Sequence, residues 1–112
     1  MNVGDFLITI NIKYYGKKAK EFAREMERLG YADIIRNRDG NIKYEYYIPL
    51  NSDDYILLID SWENQEALDI HHHSDVFKKI VELREKYDLK MEVERFSPLE
   101  ENKEDLKYII KR

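Results

Sequence analysis

The residues with chemistry to offer are concentrated in one stretch, Asp60 to Phe77, which reads Asp-Ser-Trp-Glu-Asn-Gln-Glu-Ala-Leu-Asp-Ile-His-His-His-Ser-Asp-Val-Phe. All three histidines of the chain lie there, as His71, His72 and His73, together with its single tryptophan, Trp62. Imidazole titrates near ~6.5 and suits proton transfer at neutral pH. Aromatic side chains can wall a flat ligand, and the chain carries nine tyrosines and four phenylalanines in 112 residues. Amide and hydroxyl groups such as those of Asn11 and Tyr44 can donate to an oxyanion as it develops. Each of these residues also has an ordinary structural use. Tyrosine favours strands, Trp62 can anchor helix packing, His71 can bond backbone near a helix end, and Asn11 can bond across a sheet.

Three histidines in a row invite a metal, but adjacent helical residues point ~100° apart and cannot share one ion. At the useful i,i+4 offset His71 meets only Asp75, with no third ligand in prospect, so no metal site is expected. Cysteine is absent, which excludes thiolate nucleophiles, thiolate metal sites and disulfides. Nineteen basic residues against 23 acidic ones give a net charge of -4, with the signs interspersed. That balance disfavours a nucleic-acid partner and an anionic membrane surface. No apolar run approaches the ~20 residues of a membrane span, and no leader pattern opens the chain, so the expected location is the cytoplasm.

The elements that must position these residues follow from periodicity. Phe6 to Tyr14 alternates, with Phe6, Ile8, Ile10, Ile12 and Tyr14 on one face and Leu7, Thr9, Asn11 and Lys13 on the other, as in a half-buried strand. Lys17 to Leu29 has helical spacing, with Ala19, Phe22, Ala23, Met26 and Leu29 on one stripe and Gly30 as a terminator. Tyr31 to Arg38 is a connection that could be a helical turn or an irregular strand. Asp39-Gly40 signals a turn before a strand over Ile42 to Ile48, and Asn51 to Asp54 is a polar loop leading to the apolar strand Tyr55 to Trp62. Asn64 or Ser61 can cap the helix that follows, with a break expected near Ser74-Asp75 and a second run to Tyr87. Leu89 to Phe96 alternates as the last strand.

The order strand, helix, strand, strand, helix, strand is the split βαβ, ferredoxin-like α+β arrangement (βαββαβ): a four-stranded antiparallel sheet with its helices on one face. Residues 1–98 form this domain. Residues 99–112 are a C-terminal extension whose Asp105 to Ile110 segment has enough apolar surface to dock on its own subunit or on a partner. A sheet covered on one side leaves a bare face, expected to show Leu7, Thr9, Tyr47, Ile56 and Leu58, and a homodimer packed through that face would cover it.

Two segments resemble the antibiotic biosynthesis monooxygenase superfamily, in its branch of small quinol monooxygenases. Asp39-Gly40-Asn41-Ile42-Lys43-Tyr44-Glu45-Tyr46-Tyr47 is similar to the family's glycine, small polar residue and Tyr-Glu-aromatic strand. Trp62, Glu66-Ala67-Leu68, His71, Ser74 and Phe77 match its second motif. The resemblance spans roughly residues 5–97. It implies a dimeric α+β barrel that oxidises a small hydroquinone or polyphenol with dioxygen and needs no cofactor, metal or flavin. It also implies His71 as the catalytic residue and Trp62, Tyr44, Tyr46, Phe77 and Asn11 as substrate-binding residues. Asp60 departs from the glutamate common in the family, and the tail after Pro98 is longer than usual. Lys78 to Tyr87 lacks the later histidine of the heme-degrading branch, so heme degradation is not expected. The fold also hosts isomerases and binding proteins, so a ligand-binding dimer without turnover, or an isomerase using His71 as a proton shuttle, are the competing functions.

Overall fold

Alternation at period two decides which side of the sheet becomes the core. In the computed structural model, which describes residues 6–109, strand β1 (Ile8–Tyr15) buries Ile8, Ile10, Ile12 and Tyr14 and leaves the residues between them half-exposed. Helix α1 (Ala19–Arg28) covers that face with Ala19, Phe22 and Met26. The undecided connection is a short helix, α2 (Tyr31–Arg36), which buries Ala32 and Ile35. Strands β2 (Asn41–Tyr47) and β3 (Tyr55–Trp62) form the expected hairpin. Helices α3 (Gln65–His72) and α4 (Asp75–Lys86) follow, then β4 (Lys90–Phe96).

The sheet order is β2-β3-β1-β4, with every neighbouring pair antiparallel. This is the ferredoxin-like α+β fold expected from the order of elements, with the second helix divided at Ser74. The tail adds a 3-10 helix, Lys103–Tyr108, that buries no residue, and Leu99 and Tyr108 lie open to solvent. Ile110, counted in the tail's apolar segment, lies outside the described residues, as do residues 1–5.

The bare face differs from expectation in two residues. Ile56 and Leu58 are each 1% exposed and belong to the core. The register explains it: Tyr14 lies opposite Ile56 and Ile12 opposite Leu58, which puts both on the helix-covered face. Leu57 and Ile59 take the open face instead, beside Leu7, Thr9 and Tyr47. A register shift between Asn41 and Lys43 in β2 has a second effect. The extra residue, Ile42, drops out of the pattern and is exposed, whereas Tyr44 is buried.

Gly40 fixes how α3 sits against the sheet. Its φ is +84°, a left-handed conformation that glycine adopts without a Cβ penalty. A Cβ there would lie 2.6 Å from Ala67 Cβ in α3, and the Gly40 carbonyl accepts a 2.8 Å bond from Glu63 N–H. Gly40→Ala is expected to cost about 2–4 kcal/mol through backbone strain and overpacking together. Urea denaturation checks this; a loss below half a kilocalorie would mean that α3 is not seated through this contact.

Candidate active site

The loop into α3 and the break after it set the direction of the first histidine. The Asn64 side chain caps α3 by accepting from Ala67 N–H at 2.9 Å. Ser74 caps α4, accepting from Phe77 N–H at 3.2 Å, and its hydroxyl donates to the His71 carbonyl at 2.7 Å. One serine thus joins the backbone of His71 to the helix that carries Phe77. His71 turns inward and is 2% exposed; His72 is exposed but borders the same cavity, its ring 5.0 Å from that of Phe77, and His73 lies outside it.

Trp62 ends β3 fully buried. Its ring stacks on the His71 imidazole, with centroids 4.9 Å apart and planes 22° from parallel. Phe77 closes the other side edge-on at 5.4 Å. Two residues back along the strand, Asp60 shares Trp62's face by alternation, and Trp62 Nε1–H donates to Asp60 Oδ1 at 2.7 Å. Asp60 is 4% exposed.

Asp60, His71 and Phe77 border a cavity of about 190 Å³ whose walls come from the sheet, α3 and α4. Tyr44 and Asp60 reach it from the sheet, His71, Phe77 and Arg84 from the helices, and Arg95 from β4. Arg84 donates from Nη2 to the Tyr14 hydroxyl at 2.9 Å and packs over the Tyr14 and Phe77 rings, 5.4 Å from each centroid. Its Nε is buried with no hydrogen-bond partner among the described residues, as is Nδ1 of His71. Arg95 donates to Gln65 Oε1 at 2.6 Å on the exposed rim.

Burial drives the two main titratable groups in opposite directions, because it disfavours the charged form of each. The Asp60 carboxyl is raised to about 7, chiefly by burial, with the Trp62 N–H and the nearby Arg84 charge pulling the other way. The His71 imidazole is lowered to about 4, chiefly by burial and then by His72, Arg38 and Arg84. Near neutral pH, then, His71 is uncharged and Asp60 is divided between acid and carboxylate. Burial also holds the Tyr44 hydroxyl well above its ordinary value, so it remains a donor.

Of the residues expected in the site, His71, Tyr44 and Phe77 line the cavity. Trp62 stands behind His71 and Asp60 as their support, without lining the space. Tyr46 connects to it through Tyr44, hydroxyl to hydroxyl at 3.1 Å. Asn11 is not brought to the site. It lies opposite Ile59 and Glu94, on the open face of the sheet, because odd-numbered β1 residues all point away from the helices. Asp60, Arg84 and Arg95 were not among the expected residues. A carboxylate two residues before Trp62 in the most apolar strand was a readable signal for the first. Helical spacing from Phe77 through Ile80 was one for the second.

The family model for antibiotic biosynthesis monooxygenase matches residues 6–83. The chain belongs to the antibiotic biosynthesis monooxygenase family. Solved structures share its fold at low identity. SnoaB, a cofactor-independent oxygenase from Streptomyces nogalater, is 13% identical with a TM-score of 0.71, over 86% of this chain and 96% of its own. A conserved protein from Methanosarcina mazei is 23% identical with a TM-score of 0.70, over 82% and 92%. A conserved protein from Bacteroides thetaiotaomicron is 17% identical with a TM-score of 0.73, over 83% and 98%. A search of curated proteins finds no match. Within this family fold, the matched segment holds Tyr44, Asp60, Trp62, His71 and Phe77, and the cavity's two arginines lie beyond its last residue.

The raised Asp60 carboxyl has a stability consequence with a definite sign. Between about pH 4 and 7 the unfolded chain ionises this group while the folded chain keeps it protonated, so the folded state binds more protons. Its contribution therefore falls as pH rises through that window, by on the order of 4 kcal/mol in total. His71 acts oppositely between about pH 4 and 6.5, so a difference between variants is needed to isolate Asp60. Asp60→Asn is expected to become progressively more stable than wild type from pH 4 to pH 8 in urea titrations. A difference that stays flat across that range would mean an ordinary carboxyl.

Proposed function

We propose that the protein is a cofactor-independent monooxygenase that oxidises a small hydroquinone-type substrate with dioxygen. The observation that carries this reading is the meeting, in one aromatic-walled cavity, of a carboxyl poised near neutral pH and an uncharged imidazole. A proton acceptor works best when its pKa lies near the operating pH. Asp60 meets that condition and His71 does not, since its lowered value makes it a weak base. The roles divide accordingly. Asp60 takes the substrate's hydroxyl proton, and neutral His71 hydrogen-bonds the substrate from the cavity wall. Tyr44, polarised by Tyr46, donates to the oxyanion that forms.

The substrate supplies the electrons. An ionised hydroquinone passes one electron to dioxygen, and the two radicals combine to form a carbon–oxygen bond. The resulting hydroperoxide loses water as its O–O bond breaks. Hydroquinone and dioxygen become hydroxyquinone and water, with one oxygen atom retained in the product. The protein's part is to deprotonate, orient and exclude bulk water. Family membership supports the reaction class, and SnoaB shares the fold and is a cofactor-independent oxygenase.

The active assembly in this proposal is a homodimer formed through the open sheet face, where Leu7, Leu57, Ile59 and Tyr47 lie. Its tail, whose 3-10 helix has no fully buried residue, packs against the second subunit.

Oxygen consumption with simple hydroquinones, without added metal or flavin and corrected for autoxidation, tests the chemistry. Uptake is expected to scale with enzyme, and kcat/KM to rise with pH to a plateau above about pH 7 as Asp60 ionises. Asp60→Asn is expected to lower kcat by roughly 10²–10⁴-fold and abolish that limb. His71→Ala should slow turnover and keep the limb. Uptake untouched by either substitution would remove both residues from the mechanism.

A further inference from the structure

The cavity contains more positive charge than a neutral hydroquinone requires. Arg84 and Arg95 both border it, and neither has a carboxylate within 4.0 Å among the described residues. Asp60 does not neutralise them: its bond is to Trp62, and the carboxyl is largely protonated below neutral pH. Arg84 is the more telling of the two. A guanidinium has five N–H donors, and Arg84 uses one of them on Tyr14. Its Nε–H is buried and has no partner among the described residues. A buried donor left unpaired costs free energy, and a charged one costs more. A carboxylate in the cavity would pair with the remaining N–H donors of this guanidinium through charge-assisted bonds, which are stronger than bonds to a neutral acceptor.

Size narrows the ligand further. A dry cavity of ~150 Å³ accepts a benzene ring. The 190 Å³ here has room for one ring with small substituents.

We propose, building on the monooxygenase reading, that the substrate is a single-ring hydroxyaromatic carboxylate. Its carboxylate is held by Arg84 and Arg95, and its hydroxyl faces Asp60 and His71. The arginines are binding and specificity residues in this arrangement. The buried end does the proton chemistry, and the rim near β4 selects for charge.

Anaerobic binding separates this proposal from turnover. Trp62 is the single tryptophan and stacks on a cavity residue, so its fluorescence reports occupancy. The probes are 2,5-dihydroxybenzoate, its methyl ester and unsubstituted hydroquinone. The acid is expected to bind at least 10-fold more tightly than the ester, with affinity falling as salt rises. Arg84→Gln and Arg95→Gln should each erase most of that preference while leaving ester binding within about threefold. Arg84 also bonds Tyr14, so its variant could fail to fold; Arg95 is exposed, and its variant keeps the test decisive. Equal binding of acid and ester, equal loss of both ligands in Arg95→Gln, or no binding of the acid would each overturn the proposal. Oxygen consumption by the same samples then divides the two claims. Arginine-dependent acid binding with no oxygen uptake would retain the carboxylate site and reject the monooxygenase. Uptake with hydroquinone and the acid at equal kcat/KM would retain the monooxygenase and reject charge selection.

Discussion

Trp62 touches both titratable groups at the closed end of the cavity. Its N–H holds Asp60, and its ring face holds His71. Removing the indole would leave a large void, an unpaired buried carboxyl and an unsupported imidazole at once. Much of the molecule serves to keep that residue dry. Tyr14, Phe22, Met26, Ile35 and Leu68 are fully buried in the same core, and β3 has antiparallel neighbours on both sides. The indole is therefore best regarded as a positioning residue. It sets where Asp60 and His71 stand without facing the ligand space itself.

The same burial gives the two groups their chemistry. A carboxylate and an imidazolium are both disfavoured away from water, so one acid is pushed up and the other down until their usual order is reversed. In water the carboxyl would be ionised and the imidazole partly protonated at pH 6. Here the imidazole is neutral and the carboxyl still carries its proton. A fold that buries a side chain for packing thus also selects which group accepts a proton near pH 7. Placing the acceptor two residues from the tryptophan, on a strand, keeps it on the core face and gives it little freedom to reach solvent.

The fold was legible because its signals are periodic and local. Alternation marked β1 and β4, the Asn64 and Ser74 caps marked α3 and α4, and the order of elements fixed the architecture. Which residues of β3 faced the helices was not legible from an unbroken apolar run, where Ile56, Leu57, Leu58 and Ile59 look alike; only pairing with β1 separates them. Ile42 is set apart from Tyr44 by a bulge that no local pattern announces. In the site, motif residues on α3, α4 and β2 were found, since each is fixed by a short segment. Asn11 failed because a polar residue inside a strand does not reveal its face until the neighbouring apolar set is assigned to the core. Arg84 and Arg95 converge from α4 and β4 only in three dimensions. The low pKa of His71 was equally hidden, because it comes chiefly from burial in the folded chain, with the charge of the adjacent His72 second.

The most direct measurement is the fate of dioxygen's two atoms. Metal-free, flavin-free enzyme would be given a hydroquinone substrate under ¹⁸O₂, and the product analysed before its carbonyl oxygens exchange with water. A monooxygenase relying on Asp60 puts one labelled atom into the quinone product and the other into water, and the Asp60→Asn protein forms no labelled product above the uncatalysed background. An unlabelled quinone accompanied by hydrogen peroxide, or labelled product formed equally by both proteins, would contradict it.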